Sequence, residues 1–353
     1  MSKRELDIMK MARVSIRSLK PYASAKDEFK GFEQELIYLD ANENPYENGL
    51  NRYPDPHQSA LKQRISQIKN VPVEHILLGN GSDEILDMIF RVFVEPGQDN
   101  IIINTPTFGM FKVLAAVNNV GCNEVLMTDK FQVDVDAVKK AVNNNTKAIF
   151  ICSPNNPTGN SIKASSILEL LALNVLVVVD EAYIDFSDES SWSLRIQDFK
   201  NLIVTQTFSK AYGLAGIRLG ACFANTEVIE LLKKVKMPYN VNVLTQRTAL
   251  KSLEDEKLRE QEIFEIKENR KRLSKDILEI GFVKKVYASD SNFILVEVDD
   301  ANKRYGQLLD KELVIRNRTN EPLCKNCLRI TVGTPEENKI LLKSMAYLDA
   351  DKR

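Results

Sequence analysis

Short apolar runs typical of β-strands alternate with amphipathic helical runs between about Leu77 and Asn225, and this alternation limits the possible fold more than any other feature. The run VLVVVD, which ends at Asp180, is apolar at every position before its acid, so helices must cover both faces of that strand. Repeated alternation of this kind predicts an α/β fold whose central sheet is mostly parallel, with helices on both faces.

The pattern changes after Asn242. A charged amphipathic stretch from Leu244 to Gly281 predicts a long helix leading away from the first domain. The later runs SNFILVEV, LVIRNR and LRITVG predict strands of a smaller α+β domain, which the helical run EENKILLKSMAYL closes. We therefore predict a large domain at 41–242, a small domain at 243–353, and an N-terminal segment at 1–40 that associates with the small domain.

Composition and charge exclude several classes of function. The 353-residue chain has a formal net charge of -1, which provides no basic field for nucleic acid or anionic lipid. Its N-terminus lacks the apolar core of a secretory signal, and no run of apolar residues is long enough to predict a membrane span. The 5 cysteines are scattered, as expected of reduced thiols. We expect a cytoplasmic protein that acts on small molecules.

Histidine is scarce, and this restricts the chemistry. The chain has 2 histidines, His57 and His75. Neither a histidine-rich metal site nor two separate histidine-based acid–base roles can be assembled from them. Cys324 and Cys327 have the spacing of zinc ligands, but no second pair accompanies them. We expect no metal site.

Polar groups gather at the predicted carboxyl ends of the strands, where ligands bind in open parallel sheets. The segment from Gly79 to Asp83 joins a strand to a helix, and the free N–H groups of a helix N-terminus attract anions. The same residues also suit an ordinary turn and helix cap. Their spacing matches neither a dinucleotide fingerprint nor a GK[ST] loop.

A carboxylate, an amide and two cations follow the neighbouring strands. Asp180 ends an apolar strand and needs a cationic partner if it is buried; an acid that binds a ribose and an acid that pairs with a protonated ring nitrogen are both compatible. Asn156 stands between two prolines that fix its turn. Lys210 lies near Arg218, whose charge favours the free amine that a nucleophilic lysine needs.

Taken in chain order, the segments GNGSDE, SPNNPTG, DEAY and TFSKAYGLAGIRLG resemble the fold-type I, class I and II pyridoxal-phosphate aminotransferases over nearly the whole chain. The segments LDANENPY, RYPDP, TPTFGMF and VIRNRTNEPLCKNCLRITVGTPEEN are similar to the histidinol-phosphate aminotransferase family within that class. The resemblance implies a reversible ping-pong reaction of L-histidinol phosphate with 2-oxoglutarate, giving imidazole acetol phosphate and L-glutamate in histidine biosynthesis.

The resemblance also implies roles for individual residues. Lys210 binds pyridoxal 5'-phosphate covalently and later moves a proton, and Asp180 keeps the ring nitrogen protonated. Tyr183 and Asn156 donate to the phenolic oxygen, while Phe108 stacks on the ring or merely anchors a helix start. The residues implied to bind the cofactor phosphate are Gly81, Ser82, Asp83, Thr207, Ser209 and Arg218, joined by Tyr53 from the other subunit of a homodimer.

For the substrate, the resemblance implies Arg329 and Arg316 as ligands of its anionic groups, with Tyr22 and Asn156 as further contacts. Two arginines suit a pocket that accepts both a carboxylate and a phosphate. The implied catalytic residues are Lys210, Asp180 and Tyr183.

Other activities remain possible at this point. An aromatic amino-acid aminotransferase and a threonine-phosphate decarboxylase share the scaffold, although the first needs only one carboxylate-binding arginine. A nucleotide-binding oxidoreductase would require a GxGxxG turn, which is absent, and would leave Lys210 and Arg218 unexplained. A regulator on the same fold would require a basic DNA-binding module, for which the chain leaves little room.

Overall fold

The computed structural model describes residues 7–21 and 37–350, which form two β-sheets with helices packed on them. The strands of the larger sheet are β1 (Ile76–Asn80), β2 (Asn100–Thr105), β3 (Gly121–Leu126), β4 (Thr146–Cys152), β5 (Leu176–Asp180), β6 (Leu202–Thr207) and β7 (Leu219–Ala224). Their order is β1-β7-β6-β5-β4-β2-β3. Strand β7 is antiparallel to both of its neighbours, and the other adjacent strands are parallel. The predicted α/β class with a mostly parallel sheet is confirmed.

Helices cover both faces of this sheet. They are α3 (Ser59–Lys69), α4 (Gly81–Phe93), α5 (Met110–Val117), α6 (Val135–Ala141), α7 (Ala164–Leu171) and α8 (Thr226–Val235). Along β5, Val177 and Val179 belong to the core shared with α3, α6 and α7, whereas Val178 belongs to the core shared with α4, α5 and α8. This alternation explains why the strand is apolar throughout.

The smaller sheet is antiparallel, with the order β10-β11-β9-β8. Its strands are β8 (Val283–Val286), β9 (Phe293–Val298), β10 (Arg316–Asn317) and β11 (Cys327–Thr331), and the neighbouring helices are α9 (Val243–Ser252), α10 (Glu256–Asp276), α11 (Ala301–Leu309) and α12 (Pro335–Ala350). A separate core of α10, α11 and α12 side chains packs on this sheet. The predicted strands SNFILVEV and LRITVG are present, but LVIRNR contributes only the two residues of β10.

The predicted single helix from Leu244 to Gly281 is wrong, because the structure has two helices there, α9 and α10. The side chain of Asp255 accepts a hydrogen bond from the backbone N–H of Leu258 at 3.0 Å and caps the second helix. Ala249 and Leu253 pack into the core of the larger sheet. The division into 41–242 and 243–353 stays a proposal, with α9 packed on the first part.

The N-terminal segment has two short helices in its described part, α1 (Ile8–Met11) and α2 (Val14–Arg17). Both contact α8, and Ile8 and Ala12 are buried in the core on that side of the larger sheet. In these two helices the contacts differ from the predicted association with the small domain, because the apolar side chains of α1 pack with those of α4 and α8. The association of 1–40 as a whole stays a prediction. In the described parts of the chain, none of the helices has the length and apolar character needed to cross a membrane.

Gly220 lies in close backbone contact with the start of α4. A Cβ atom at this position would lie 2.3 Å from the carbonyl carbon of Gly81 and 2.4 Å from the amide nitrogen of Ser82. Only a glycine in β7 therefore lets the first turn of α4 lie directly on the strand.

Gly220→Ala is expected to lower the free energy of unfolding by about 3 kcal/mol, because the added methyl group meets backbone that cannot rotate away. The measurement is denaturant unfolding at equilibrium. Gly216→Ala is the matched control, since a Cβ at Gly216 has no heavy atom within 4 Å. Equal stability of the two variants would contradict the proposed contact.

Candidate active site

A cavity opens at the carboxyl ends of β4, β5 and β6. Because these strands are adjacent and parallel, the residues that end them, Cys152, Asp180 and Thr207, face one space. The cavity is lined by Ser82, Asp83, Phe108, Cys152, Asn156, Asp180, Ala182, Tyr183, Thr207, Ser209, Lys210, Ala215, Arg218, Arg316, Arg318 and Arg329. The structure thus brings together most of the residues that the sequence predicted, from both sheets.

Asp180 is a carboxylic acid buried at the end of β5. It is 1% exposed, and its Oδ1 accepts a hydrogen bond from the neutral hydroxyl of Thr205 at 3.3 Å. Burial raises the pKa of Asp180 from 3.8 to about 7, and the Thr205 bond opposes this increase only in part. A cationic group in the cavity would therefore stabilise the carboxylate strongly.

Lys210 lies on the loop that follows β6, and its ammonium nitrogen is 5.9 Å from the centroid of the Tyr183 ring. Burial lowers the pKa of Lys210, and the positive charges of Arg329 and Arg218 lower it further. The direction agrees with the sequence prediction, although burial contributes most and Arg329 contributes more than Arg218. The local environment favours the free amine.

The start of α4 and the loop around Lys210 form a polar cradle. Gly81 has φ +73°, and a Cβ there would lie 2.9 Å from Nη2 of Arg218. The backbone N–H of Gly81 donates to the carbonyl of Arg218 at 2.9 Å, so the two segments are joined. Nη1 of Arg218 donates to Oγ of Ser209 at 3.4 Å, and Thr207 donates to the same oxygen at 3.0 Å. Hydroxyls, a guanidinium and helix N–H groups together suit a phosphate.

Asp83 also lies in this cradle, where its Oδ2 is 3.6 Å from Nη2 of Arg218. Both side chains are about half exposed, so the pair is weak in the absence of a ligand. Ser82 is buried in the first turn of α4, beside Asp83.

Guanidinium groups on and beside the smaller sheet also line the cavity. Arg329 of β11 donates through Nη1 to Oδ1 of Asn156, which links the smaller sheet to the loop after β4. Arg316 of β10 is paired directly with Arg329 across the two strands. The sequence reasoning missed Arg318, which also lines the cavity; its spacing of two residues from Arg316 could have indicated that both lie on one face of a strand.

Aromatic rings complete the cavity wall. Phe108 contacts Phe111 edge to face, with ring centroids 5.6 Å apart, and Tyr183 contacts Phe293 in the same manner at 5.1 Å. Burial raises the pKa of Tyr183, so its phenol stays protonated and can donate a hydrogen bond.

The sequence profile of the family described as aminotransferase class I and II matches residues 35–345. This chain belongs to that family. An aminotransferase of this family named histidinol-phosphate aminotransferase, from Christiangramia forsetii, is 55% identical over 98% of this chain and 99% of that protein.

Solved structures of aminotransferases are similar in fold. The crystal structure of the histidinol-phosphate aminotransferase from Clostridium acetobutylicum has a TM-score of 0.79 and 25% identity, covering 86% of this chain and 92% of that chain. The histidinol-phosphate aminotransferase from Sinorhizobium meliloti, solved in complex with pyridoxal-5'-phosphate, has a TM-score of 0.78 and 23% identity, covering 86% and 84%. These similarities support the predicted fold type.

The predicted ligands Tyr53 and Tyr22 differ in what the structure describes of them. Tyr53 does not line the cavity; it is 48% exposed and its ring stacks on Tyr239 at 4.5 Å. Tyr22 lies outside the described residues. The two histidines do not line the cavity either, and the imidazole Nδ1 of His75 is 2.8 Å from the carbonyl oxygen of Ala224.

Four of the 5 cysteines of this aminotransferase are buried, and Cys122 is partly exposed. Cys324 and Cys327 are fully buried in the core beside the smaller sheet. No group of three or more potential metal ligands gathers anywhere in residues 7–21 and 37–350.

Proposed function

We propose that this chain catalyses amino transfer between L-histidinol phosphate and 2-oxoglutarate, giving imidazole acetol phosphate and L-glutamate, with pyridoxal 5'-phosphate as its cofactor. The single observation that supports the reaction type best is that the buried acid Asp180 and the amine of Lys210 line the same cavity. The substrate is supported by the C. forsetii relative, which bears the name of this activity and matches nearly the whole chain.

The residues present fit this cofactor. Asp180 is buried with a raised pKa, which suits a partner for a protonated ring nitrogen. The cradle of α4, Ser209, Thr207 and Arg218 suits the cofactor phosphate. Pyridoxal phosphate supplies, when bound, the conjugated ring that accepts the electrons left at the substrate α-carbon.

The other cavity residues have roles that follow from their chemistry. Phe108 would provide a face on which the cofactor ring stacks, and Tyr183 and Asn156 would donate to the phenolic oxygen of that ring. Because the pKa of Tyr183 is raised, that hydroxyl keeps its proton and stabilises negative charge on the oxygen that it contacts.

Lys210 is proposed to bind the cofactor covalently and then to transfer a proton with its amine. Its amine is the one primary amine among the residues that line the cavity. Since burial, Arg329 and Arg218 all lower its pKa, a larger fraction of the amine is unprotonated and able to take a proton from the substrate α-carbon. The ammonium that results would then return the proton to C4′ of the bound cofactor.

Arg316 and Arg329 bind the anionic groups of the two substrates. Arg329 already donates to a neutral amide oxygen, and a carboxylate or phosphate replaces that acceptor with a stronger, charge-assisted one. Tyr22 is proposed as a further substrate contact on the grounds of its sequence context alone.

The active enzyme is proposed to be a cytoplasmic homodimer in which Tyr53 reaches the cofactor phosphate of the other subunit. Supporting this, the segment that carries Tyr53 exposes several large apolar side chains, among them Ile37, Leu39 and Tyr46. The cysteines in the described residues are all free thiols, as is usual in a reducing compartment. Sedimentation equilibrium tests the dimer, and a monomeric active enzyme would contradict it.

A substrate panel tests the proposed function. With 2-oxoglutarate as acceptor, purified holoenzyme is expected to use L-histidinol phosphate with a kcat/KM at least about 100-fold above that for L-phenylalanine. The single carboxylate of phenylalanine pairs with only one arginine, and its phenyl group offers no anion to the other. Glutamate formation is the measurement. Preference for phenylalanine would identify an aromatic aminotransferase, and CO2 release from threonine phosphate would identify a decarboxylase.

A further inference from the structure

Three arginines share one side of the smaller sheet at the cavity. Arg316 and Arg329 are directly opposite in the antiparallel pair β10–β11. The backbone N–H of Arg318 donates to the carbonyl of Cys327 at 2.8 Å and so continues this pairing beyond β10. Since side chains two residues apart on a strand point to the same side, Arg318 joins the other two.

This arrangement concentrates positive charge. Like charges directly opposite on paired strands destabilise the pair. Burial lowers the pKa of Arg329, and the charges of Arg318 and Arg316 lower it further, with Arg318 the stronger of the two. An anion that carries more than one negative charge would relieve this repulsion better than a single carboxylate would.

Arg318 keeps unused hydrogen-bonding capacity. Its Nε is buried and has no hydrogen-bond partner within the described part of the chain. Its nearest carboxylate oxygen, on Glu321, is 3.6 Å from Nη1, which is longer than a hydrogen bond. Arg329 differs, because it already donates to Asn156. A buried donor without an acceptor costs free energy that a ligand recovers.

The backbone holds Arg318 in place. Its carbonyl accepts a hydrogen bond from the N–H of Glu321 at 3.0 Å, and the N–H of the next residue, Thr319, donates to Oδ1 of Asn317 at 2.9 Å. The hydroxyl of Thr319 in turn accepts from the N–H of Asn326 at 2.9 Å. The guanidinium therefore extends from a fixed turn.

We propose that Arg318 is a specificity-determining residue that binds the phosphate group of the amino-donor substrate alongside Arg316. The inference rests on the proposed function and deepens it. A phosphate dianion presents three oxygens and about two negative charges, so it uses a third guanidinium that a carboxylate, with two oxygens and one charge, leaves largely unpaired. Arg318 thus favours phosphorylated amino donors over others that enter the same cavity.

The test compares two amino donors on one holoenzyme. For Arg318→Gln, kcat/KM for L-histidinol phosphate is expected to fall roughly 10- to 100-fold, as for loss of a hydrogen bond to a charged group. The value for L-glutamate, measured in the reverse half-reaction, is expected to change less than about 5-fold. Histidinol lacks the phosphate. The ratio of kcat/KM for histidinol phosphate to kcat/KM for histidinol is therefore expected to decrease by the same factor as kcat/KM for histidinol phosphate.

Two further variants make the result specific. Arg318→Lys keeps the charge and is expected to show a smaller loss with histidinol phosphate than Arg318→Gln. Arg272→Gln, which alters an exposed arginine on α10, is the matched control. Equal losses with both donors, or no loss, would overturn the role of Arg318. If the unaltered enzyme does not use histidinol phosphate, the proposed function itself fails, and the assignment of Arg318 fails with it.

Discussion

The Lys210→Ala variant is expected to lose roughly 10⁴-fold in the rate of amino transfer, because general acid–base catalysis at the α-carbon and the covalent attachment of the cofactor are both removed. Pyridoxal phosphate should still bind, since the α4 cradle, Asp180 and Arg218 remain. The visible absorbance spectrum and the turnover rate are the two measurements. In the variant, denaturation should release all of the cofactor, even after treatment with a hydride reductant.

Two controls separate this result from a loss of folding. Lys251→Ala removes an exposed lysine from α9 and should retain full activity. Small primary amines added to Lys210→Ala should restore part of the rate, because they can enter the vacated space and carry the proton. Substantial turnover by Lys210→Ala without any added amine would refute the assignment.

Asp180→Asn is expected to reduce kcat by roughly 10²- to 10³-fold, a loss typical of removing one preorganised electrostatic contact from a buried site. An amide cannot stabilise a protonated ring nitrogen as a carboxylate does. The covalent bond to Lys210 should persist, so the variant should retain visible absorbance while losing rate. A variant with unchanged kcat would show that Asp180 does not face the ring.

The same variant should change how stability depends on pH in the cofactor-free protein. Asp180 has a folded-state pKa of about 7 against 3.8 for the free acid, so the folded state binds its proton more tightly than the unfolded state. The free energy of unfolding contributed by this group is therefore highest below about pH 4 and decreases as pH rises toward 7, by at most about 1.4 kcal/mol per pH unit. Asp180→Asn should remove this decrease.

Glu181 offers a matched comparison, since burial raises its pKa from 4.5 to about 7 and its side chain does not line the cavity. Glu181→Gln should remove a similar part of the pH dependence while leaving kcat much closer to normal. Chemical denaturation at several pH values measures both effects. If both variants keep the full pH dependence of the unfolding free energy, the raised pKa values of Asp180 and Glu181 are contradicted.

The main sheet and most of the site could be predicted from the sequence because both depend on local patterns. A strand that is apolar on both faces, such as β5, must be central and parallel, and its carboxyl end then positions the polar residue that follows. Asp180, Asn156 and Lys210 each follow such a strand, so their meeting in one cavity was predictable before any coordinates. The family resemblance then assigned chemistry to positions that the alternation had already located.

The features that the sequence did not reveal lack such a pattern. Strand β10 has only two residues, too few for an alternation that predicts a strand, so the two-residue spacing of Arg318 from Arg316 was a weak signal and Arg318 was missed. The break between α9 and α10 coincides with two caps, Leu253 at the end of α9 and Asp255 at the start of α10, which the amphipathic pattern does not encode. The packing of α1 on α8 depends on which apolar surface is nearest in three dimensions, which a linear pattern does not encode.

The contact between Gly220 and the first turn of α4 has a consequence for how the enzyme tolerates change. Rotamer adjustments elsewhere in the interior cannot alter a junction in which main chain touches main chain. Mutations that accumulate in the two hydrophobic layers should therefore leave the anchor point of the cofactor phosphate undisturbed, until one of them shifts an entire strand.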